Sequence, residues 1–290
     1  MSQAALSQPE HDRAPAVRKP AKSLLSRGLI LAALATLLLF IASFSRTLYG
    51  EYRVLERELR RAEANAVIGY PGIQRKFSSA QRPADWFHVD GELAKLWGGW
   101  RHGSGHQWFV VNPGDFSPEH LSLPEGRDVY QAIDFPVVEF NGGTIWDRIP
   151  EDAHVAGGEL AGVSTAYPIL VLERVFVVND RIRDQPFLVT YSPIGPSERK
   201  IAVFDPVVEG ERVTMGVSGY FHKDAPMLYD RGTESLWVRD GEALAAIAGK
   251  HRGRKLRQVA RPPAISWDRW REEHPRGRLV VGADRERAFR

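Results

Sequence analysis

Between Pro186 and Trp237 the chain offers only short β-branched and aromatic runs, each closed by Gly, Pro or Asp. Phe187-Leu188-Val189-Thr190-Tyr191 ends at Pro193 and Gly195, and Lys200-Ile201-Ala202-Val203-Phe204 ends at Asp205-Pro206. Val213-Thr214-Met215 leads into Gly216-Val217-Ser218-Gly219, and Leu228-Tyr229 runs into Asp230-Arg231-Gly232 before Leu236-Trp237. This punctuation predicts consecutive strands joined by tight turns. Strands are also predicted at Gln107–Asn112, Asp128–Phe135, Val137–Asn141 and Leu279–Val281. Glu242–Ala248 and Ser266–Glu273 are read as two short helices. The fold class expected is therefore α+β, predominantly β, in a soluble domain that begins near Trp86. The sequence shows no internal repeat.

A second feature lies upstream of the strands. Residues 1–27 are polar, rich in Ala, Pro and Gln, and without apolar periodicity, as in a disordered tail. From Gly28 to Phe44 there is no charged residue, and the apolar character continues to Tyr49 past Arg46. A membrane-spanning helix needs about 17 to 25 residues, so 28–49 is read as a transmembrane helix. A cleaved signal peptide is the competing reading, but the polar region before it is long and no Ala-x-Ala site follows. Arg13, Arg18, Lys19, Lys22 and Arg27 precede the span, whereas only Arg46, Arg53 and Arg57 follow within about 15 residues. That bias places the N-terminus inside a bacterial inner (cytoplasmic) membrane and the C-terminal domain in the periplasm or otherwise outside the cytoplasm.

Residues 50–70 carry the helix onward as a stalk. Leu48, Tyr52, Leu55, Leu59, Ala62 and Ala66 recur in alternating steps of four and three, a heptad stripe. Glu56 with Arg60 and Glu58 with Arg61 support its exposed side, and Pro71-Gly72 ends it. Leu48, Tyr52, Leu55 and Leu59 are the candidate interface. They would pack on another membrane or envelope protein or on a second copy; the alternatives are docking on the chain's own domain or a stalk that is simply solvated.

The chain contains no cysteine. Disulfides, thiolate nucleophiles, iron–sulfur clusters and Cys-ligated zinc are thereby excluded. His102 and His106 have helical ligand spacing, but Gly103-Ser104-Gly105 between them predicts a polar loop. Gly216-Val217-Ser218-Gly219 lacks the Gly-x-Ser-x-Gly spacing of a nucleophile elbow and reads as a Gly-flanked strand or bulge. The basic run Lys250, Arg252, Arg254, Lys255, Arg257 and Arg261 reads as a solvated strand edge, with anionic head groups or an acidic partner as the alternative. The net charge is only +3, and nucleic acid is not an expected partner.

Several separate segments resemble the bacterial domain-of-unknown-function family numbered 3179. They are Thr190-Tyr191-Ser192-Pro193-Ile194-Gly195, Val203-Phe204-Asp205, Gly216-Val217-Ser218-Gly219 and Tyr229-Asp230-Arg231-Gly232-Thr233-Glu234-Ser235-Leu236-Trp237. The resemblance runs from about Asp134 to Val281. It divides the soluble region into an N-terminal elaboration at 73–133, packed on the same core, and a family-like β-rich domain at 134–290. In the family pattern the first segment carries Cys-x-x-Cys, and an upstream His-Glu pair precedes Ile-Val-Asn-Asp. Here the two cysteines fall on Ser192 and Gly195, and the His and Glu fall on Val175 and Phe176. Thiolate and imidazole could together bind metal or do redox chemistry. Their replacement implies that neither a metal nor another cofactor is held at those positions.

The retained segments supply the candidate ligand-binding residues Asp230, Arg231 and Glu234, joined by Tyr191, Asp205, Ser218 and Asp224. An Arg between two acids ordinarily forms a turn-stabilising ion pair; contact with a ligand is the sharper reading. The expected function is a non-catalytic, membrane-anchored binding or accessory subunit acting outside the cytoplasm within a membrane or envelope assembly. The alternative is a ligand-binding or enzymatic domain that uses Tyr229–Trp237 without thiols or metal.

Overall fold

The computed structural model of the protein describes residues 82–122, 125–143, 145–194, 199–223 and 225–283. The tail, transmembrane segment and stalk lie outside the described residues, as do Asp224 and Gly195. No helix among the described residues is long and apolar enough to cross a membrane.

Three strands open the described chain: β1 (Phe87–Asp90), β2 (Leu93–Arg101) and β3 (Gly105–Val111), paired in that order. After β4 (Leu121–Ser122) come β5 (Pro136–Phe140), β6 (His154–Leu160) and β7 (Val163–Pro168). Helix α1 (Ile169–Val175) leads to β8 (Val177–Ile182), β9 (Gln185–Tyr191), β10 (Ile201–Phe204) and the small hairpin β11 (Val207–Val208) and β12 (Glu211–Arg212). A meander follows: β13 (Met215–His222), β14 (Ala225–Asp230), β15 (Leu236–Asp240), β16 (Ala243–Ala248) and β17 (Lys255–Ala260). The described chain closes with β18 (Ala264–Ser266), helix α2 (Trp267–Glu273) and β19 (Arg278–Ala283).

One sheet runs β4-β13-β14-β15-β16-β17-β10-β9-β8 and curls until β8 returns beside β13, so that its eight longer strands form a barrel. Alternation with both faces covered explains why Met227-Leu228-Tyr229 in β14 and Leu236-Trp237-Val238 in β15 are apolar without interruption. Leu228 and Trp237 point into the barrel core. Their neighbours Met227, Tyr229, Leu236 and Val238 point outward, where β2 and β3 cover them with Leu96, Phe109 and Val111. The sheet β18-β6-β7-β19-β5 shows the same double burial. Ala156, Tyr167 and Val280 face the barrel core, whereas Val155, Ala166, Leu279 and Val281 face a cluster built from Trp146, Trp267 and Trp270.

Three sequence expectations are corrected. Glu242–Ala248 is not a helix. Its alanines form β16, because β15 and β17 offer hydrogen bonds on both sides, and the two-residue turn Gly241-Glu242, with Gly241 at φ +59°, sets the register. Asp128–Phe135 is not a strand but a crossing segment whose only ladder contact among the described residues is an Ile133–Val178 bridge. The basic run is not a sheet edge, since β17 lies between β16 and β10. Four of its six cations are cross-linked instead: Arg252 to Asp115 at 2.8 Å, Lys255 to Asp240 at 2.8 Å, Arg261 to Glu242 at 3.4 Å, and Arg254 to Glu209. The other expected segments hold. Gln107–Asn112 falls in β3, Val137–Asn141 in β5, Ser266–Glu273 in α2 and Leu279–Val281 in β19.

Candidate functional site

The barrel does not close by backbone pairing between β8 and β13. A side chain and a strap close it. The Asn179 amide donates to the Met215 carbonyl at 2.8 Å and accepts from the Met215 N–H at 2.9 Å, taking the place of a strand neighbour. Residues 125–134 fill the rest of the gap. Glu125 N–H donates to the Gly219 carbonyl and Asp128 N–H to the Val217 carbonyl, on β13. Ile133 then exchanges bonds with Val177 and Asn179 on β8.

Gly216 and Gly219 make room for the strap. A Cβ on Gly219 would meet the Gly126 carbonyl oxygen at 2.2 Å, and its φ of +90° disfavours any other residue. A Cβ on Gly216 would meet the Tyr229 ring at 2.5 Å and the Asp128 carboxylate at 2.7 Å. The Gly216-x-x-Gly219 segment is therefore a docking groove for the strap. Ser218 between them is fully buried, donating to the Met227 carbonyl at 2.6 Å and accepting from Tyr220 N–H at 3.3 Å.

The strap carries acids that meet the β14–β15 turn. Tyr229 donates to Asp128 Oδ2 at 2.6 Å. Burial first, and then the Asp128 carboxylate, hold this phenol far above its ordinary pKa, so it remains a donor. Arg231 lies 3.4 Å from both Asp128 and Asp134. Burial alone would weaken its proton affinity, but the two acids outweigh that and raise it. Burial raises the Asp134 carboxyl above its usual value, a rise that Arg231 and the 2.8 Å bond from Asn179 only partly offset. Arg127 pairs with Glu234 and stacks 4.0 Å above the Phe109 ring centre.

Asp230 turns inward and organises the turn itself. It accepts Thr233 N–H at 2.6 Å, the Thr233 hydroxyl at 2.8 Å and the Trp237 indole N–H at 3.1 Å. Glu234 sits at φ +58° with its N–H on the Asp230 carbonyl, and Ser235 Oγ accepts His251 N–H at 3.0 Å. Asp230, Arg231 and Glu234 share the β14–β15 turn, whereas Ser218 bonds within the β13–β14 pair, and Arg231 pairs with distant acids rather than with its neighbours.

Tyr191 and Asp205 lie elsewhere. Tyr191 reaches Glu173 at 3.3 Å, and its pKa is pushed up to about 12 by burial and then by that acid. It lines a hole of about 10 Å³ at one end of the barrel, with Phe176, Ser192, Thr190 and Arg239. That is room for roughly one water. The Phe176 and Ser192 positions, to which the resemblance gives Glu and Cys, therefore meet at this hole. The Ser192 hydroxyl donates to the Ile194 carbonyl at 2.9 Å. Asp205 lies in a separate open cleft beside Arg257 and Glu159.

Among the described residues no three His, Asp or Glu side chains gather as a metal site would require. His106 accepts from the Trp97 indole at 3.0 Å in the β2–β3 hairpin. Sequence reasoning missed Arg127, Asp128, Asp134 and the Asp180 cluster. Asp180 is fully buried and takes Arg278 bidentately at 2.6 and 2.7 Å, with Tyr167 donating at 2.7 Å. The available signal was Asn179-Asp180 following Val177-Val178, two polar residues inside a buried strand.

These observations define a β-rich protein whose barrel is closed by a charged strap. The chain belongs to the family described as protein of unknown function (DUF3179), which it matches over residues 127–290. The match begins at Arg127, within the strap. No curated protein matches the chain, and no solved structure does.

Proposed function

We propose that this protein is a non-catalytic, single-pass membrane-anchored binding or accessory subunit that acts outside the cytoplasm within a membrane or envelope protein assembly. One observation carries this reading: the polar side chains of the Tyr229–Trp237 segment hold one another and the strap. Tyr229, Asp230, Thr233 and Glu234 each have an intramolecular partner that fixes the turn. A catalytic acid or nucleophile needs a reactive atom facing a substrate, and these face each other. The hole shared by Phe176 and Ser192 is too small for a substrate. These two points weigh against the enzymatic alternative. The uncharged run Gly28–Phe44 supports the anchor, and the heptad stripe supports a helix partner.

The test is purification of the tagged full chain from native membranes, beside the Leu55→Ser/Leu59→Ser variant. Burying a leucine is worth about 1.5 to 3 kcal/mol, so losing two should release whatever the stripe holds. A stoichiometric partner or second copy, present with the natural chain and absent with the variant, is the expected result. Recovery of both proteins alone and monomeric would end the accessory-subunit reading.

A further inference from the structure

Beside the strap, an open cleft of about 420 Å³ lies between β5, β8, β12 and the start of β19. This size falls within the range of roughly 300 to 1,000 Å³ usual for small-ligand sites. Three guanidinium groups, those of Arg181, Arg212 and Arg278, line it against two carboxylates. Both carboxylates are already neutralised: Asp180 by Arg278 and Asp134 by Arg231. Neither would repel an anion strongly.

Arg181 and Arg212 are different. Both are exposed, and among the described residues neither has a carboxylate within salt-bridge distance, although the Asp134 carboxylate feels the charge of Arg212. Among the described residues the Arg212 side chain hydrogen-bonds the Asn179 and Asp180 carbonyls alone, through one nitrogen at 3.4 and 3.5 Å. Its remaining N–H donors stay available, in a planar fork that matches the oxygens of a carboxylate or phosphate. It is also held in place. The β11–β12 hairpin turns through Glu209 (φ +53°) and Gly210 (φ +85°), the stiff two-residue turn with both central residues left-handed. Across the cleft, Phe135 and Val137 are 46% and 41% exposed, an apolar wall beside the charge.

We propose that this cleft binds a small organic oxyanion, its carboxylate or phosphate held by Arg181 and Arg212 and its apolar or aromatic body lying on Phe135 and Val137. The site is separate from the stalk and does not depend on an accessory role.

The experiment is calorimetric titration of the purified full chain with phenyl phosphate, benzoate and inorganic phosphate. At least one of the two aromatic probes should bind about ten-fold more tightly than inorganic phosphate, a difference of about 1.4 kcal/mol. Which of them binds tighter names the oxyanion. Arg181→Gln/Arg212→Gln should weaken that probe at least ten-fold without lowering the melting temperature of the free protein, because both side chains are exposed. Phe135→Ser should weaken the aromatic probes and leave inorganic phosphate unchanged. Absence of binding by any probe at millimolar concentration would overturn the proposal, as would undiminished binding in the double arginine variant.

Discussion

Asp180→Asn tests what joins the barrel to the five-stranded sheet. The substitution keeps the shape of the side chain and removes its charge. Arg278 is only 6% exposed, and both of its terminal nitrogens rest on the carboxylate, at 2.6 and 2.7 Å. In the variant, one carboxylate oxygen becomes an NH₂ that faces an N–H, and a guanidinium charge is left buried without a counter-charge. Breaking one side of a buried pair costs about 3 to 5 kcal/mol. For a domain of roughly 200 residues, each kcal/mol moves the melting temperature by about 2 to 4 °C, so a fall of about 6 to 20 °C is expected. Thermal and urea unfolding of the purified protein would read it. The control is Asp240→Asn, which removes an equally close contact, 2.8 Å to Lys255, where both side chains are more than half exposed. That variant should melt with the natural protein. A second control is the triple change Tyr167→Phe/Asp180→Leu/Arg278→Met, which replaces the charge network by apolar groups and should regain most of the loss. If Asp180→Asn is no less stable than Asp240→Asn, the burial argument fails. If the triple variant is as unstable as the single one, the unpaired charge is not the cause.

Two further outcomes follow from the strap. Gly219→Ala should destabilise by more than the about 1 to 2 kcal/mol of a left-handed non-glycine residue, because the added carbon also pushes the Gly126 backbone away; urea unfolding with a midpoint equal to the natural protein's would refute the docking-groove reading. Asp134 sets a pH dependence through its raised pKa. A carboxyl raised on folding contributes stability that is complete below its ordinary value of about 3.9 and is lost as pH rises through the higher folded value. Relative to Asp134→Asn, the natural protein should therefore lose stability as pH rises from about 4 through that raised value, and parallel urea-midpoint profiles for the two proteins would contradict this.

The strands were legible where local chemistry decides them. Leu228-Tyr229 and Leu236-Trp237 read as strands from residue type, and their double burial explains why no polar alternation marks them. Glu242–Ala248 misled because alanine favours helix, and only the flanking strands β15 and β17 overrule that preference. Asp240-Gly241 just before it is a hairpin-type turn dipeptide, a local signal that the helix reading left unused. The strap was not legible, because Asp128–Phe135 has strand-like composition while its partners lie on strands far along the chain. Arg231 shows the same limit at the site. Its nearest acids in sequence are Asp230 and Glu234, yet its charge meets Asp128 and Asp134, about a hundred residues upstream. Buried polar residues in an apolar run gave the one usable hint, since such groups are costly unless satisfied.

Closure by the Asn179 amide and the strap also orders events during folding. The meander from β13 to β17 joins neighbours in sequence, so its loops close early and at small entropic cost. The junction of β8 with β13 has no ladder of its own, and beyond the Asn179 bonds to Met215 it is made through residues 125–134. Until those residues dock, two strand edges present open N–H and C=O groups to other chains. Docking of the strap, a non-local step, is therefore expected to come late in folding, and the interval before it is when those edges would be most open to aggregation.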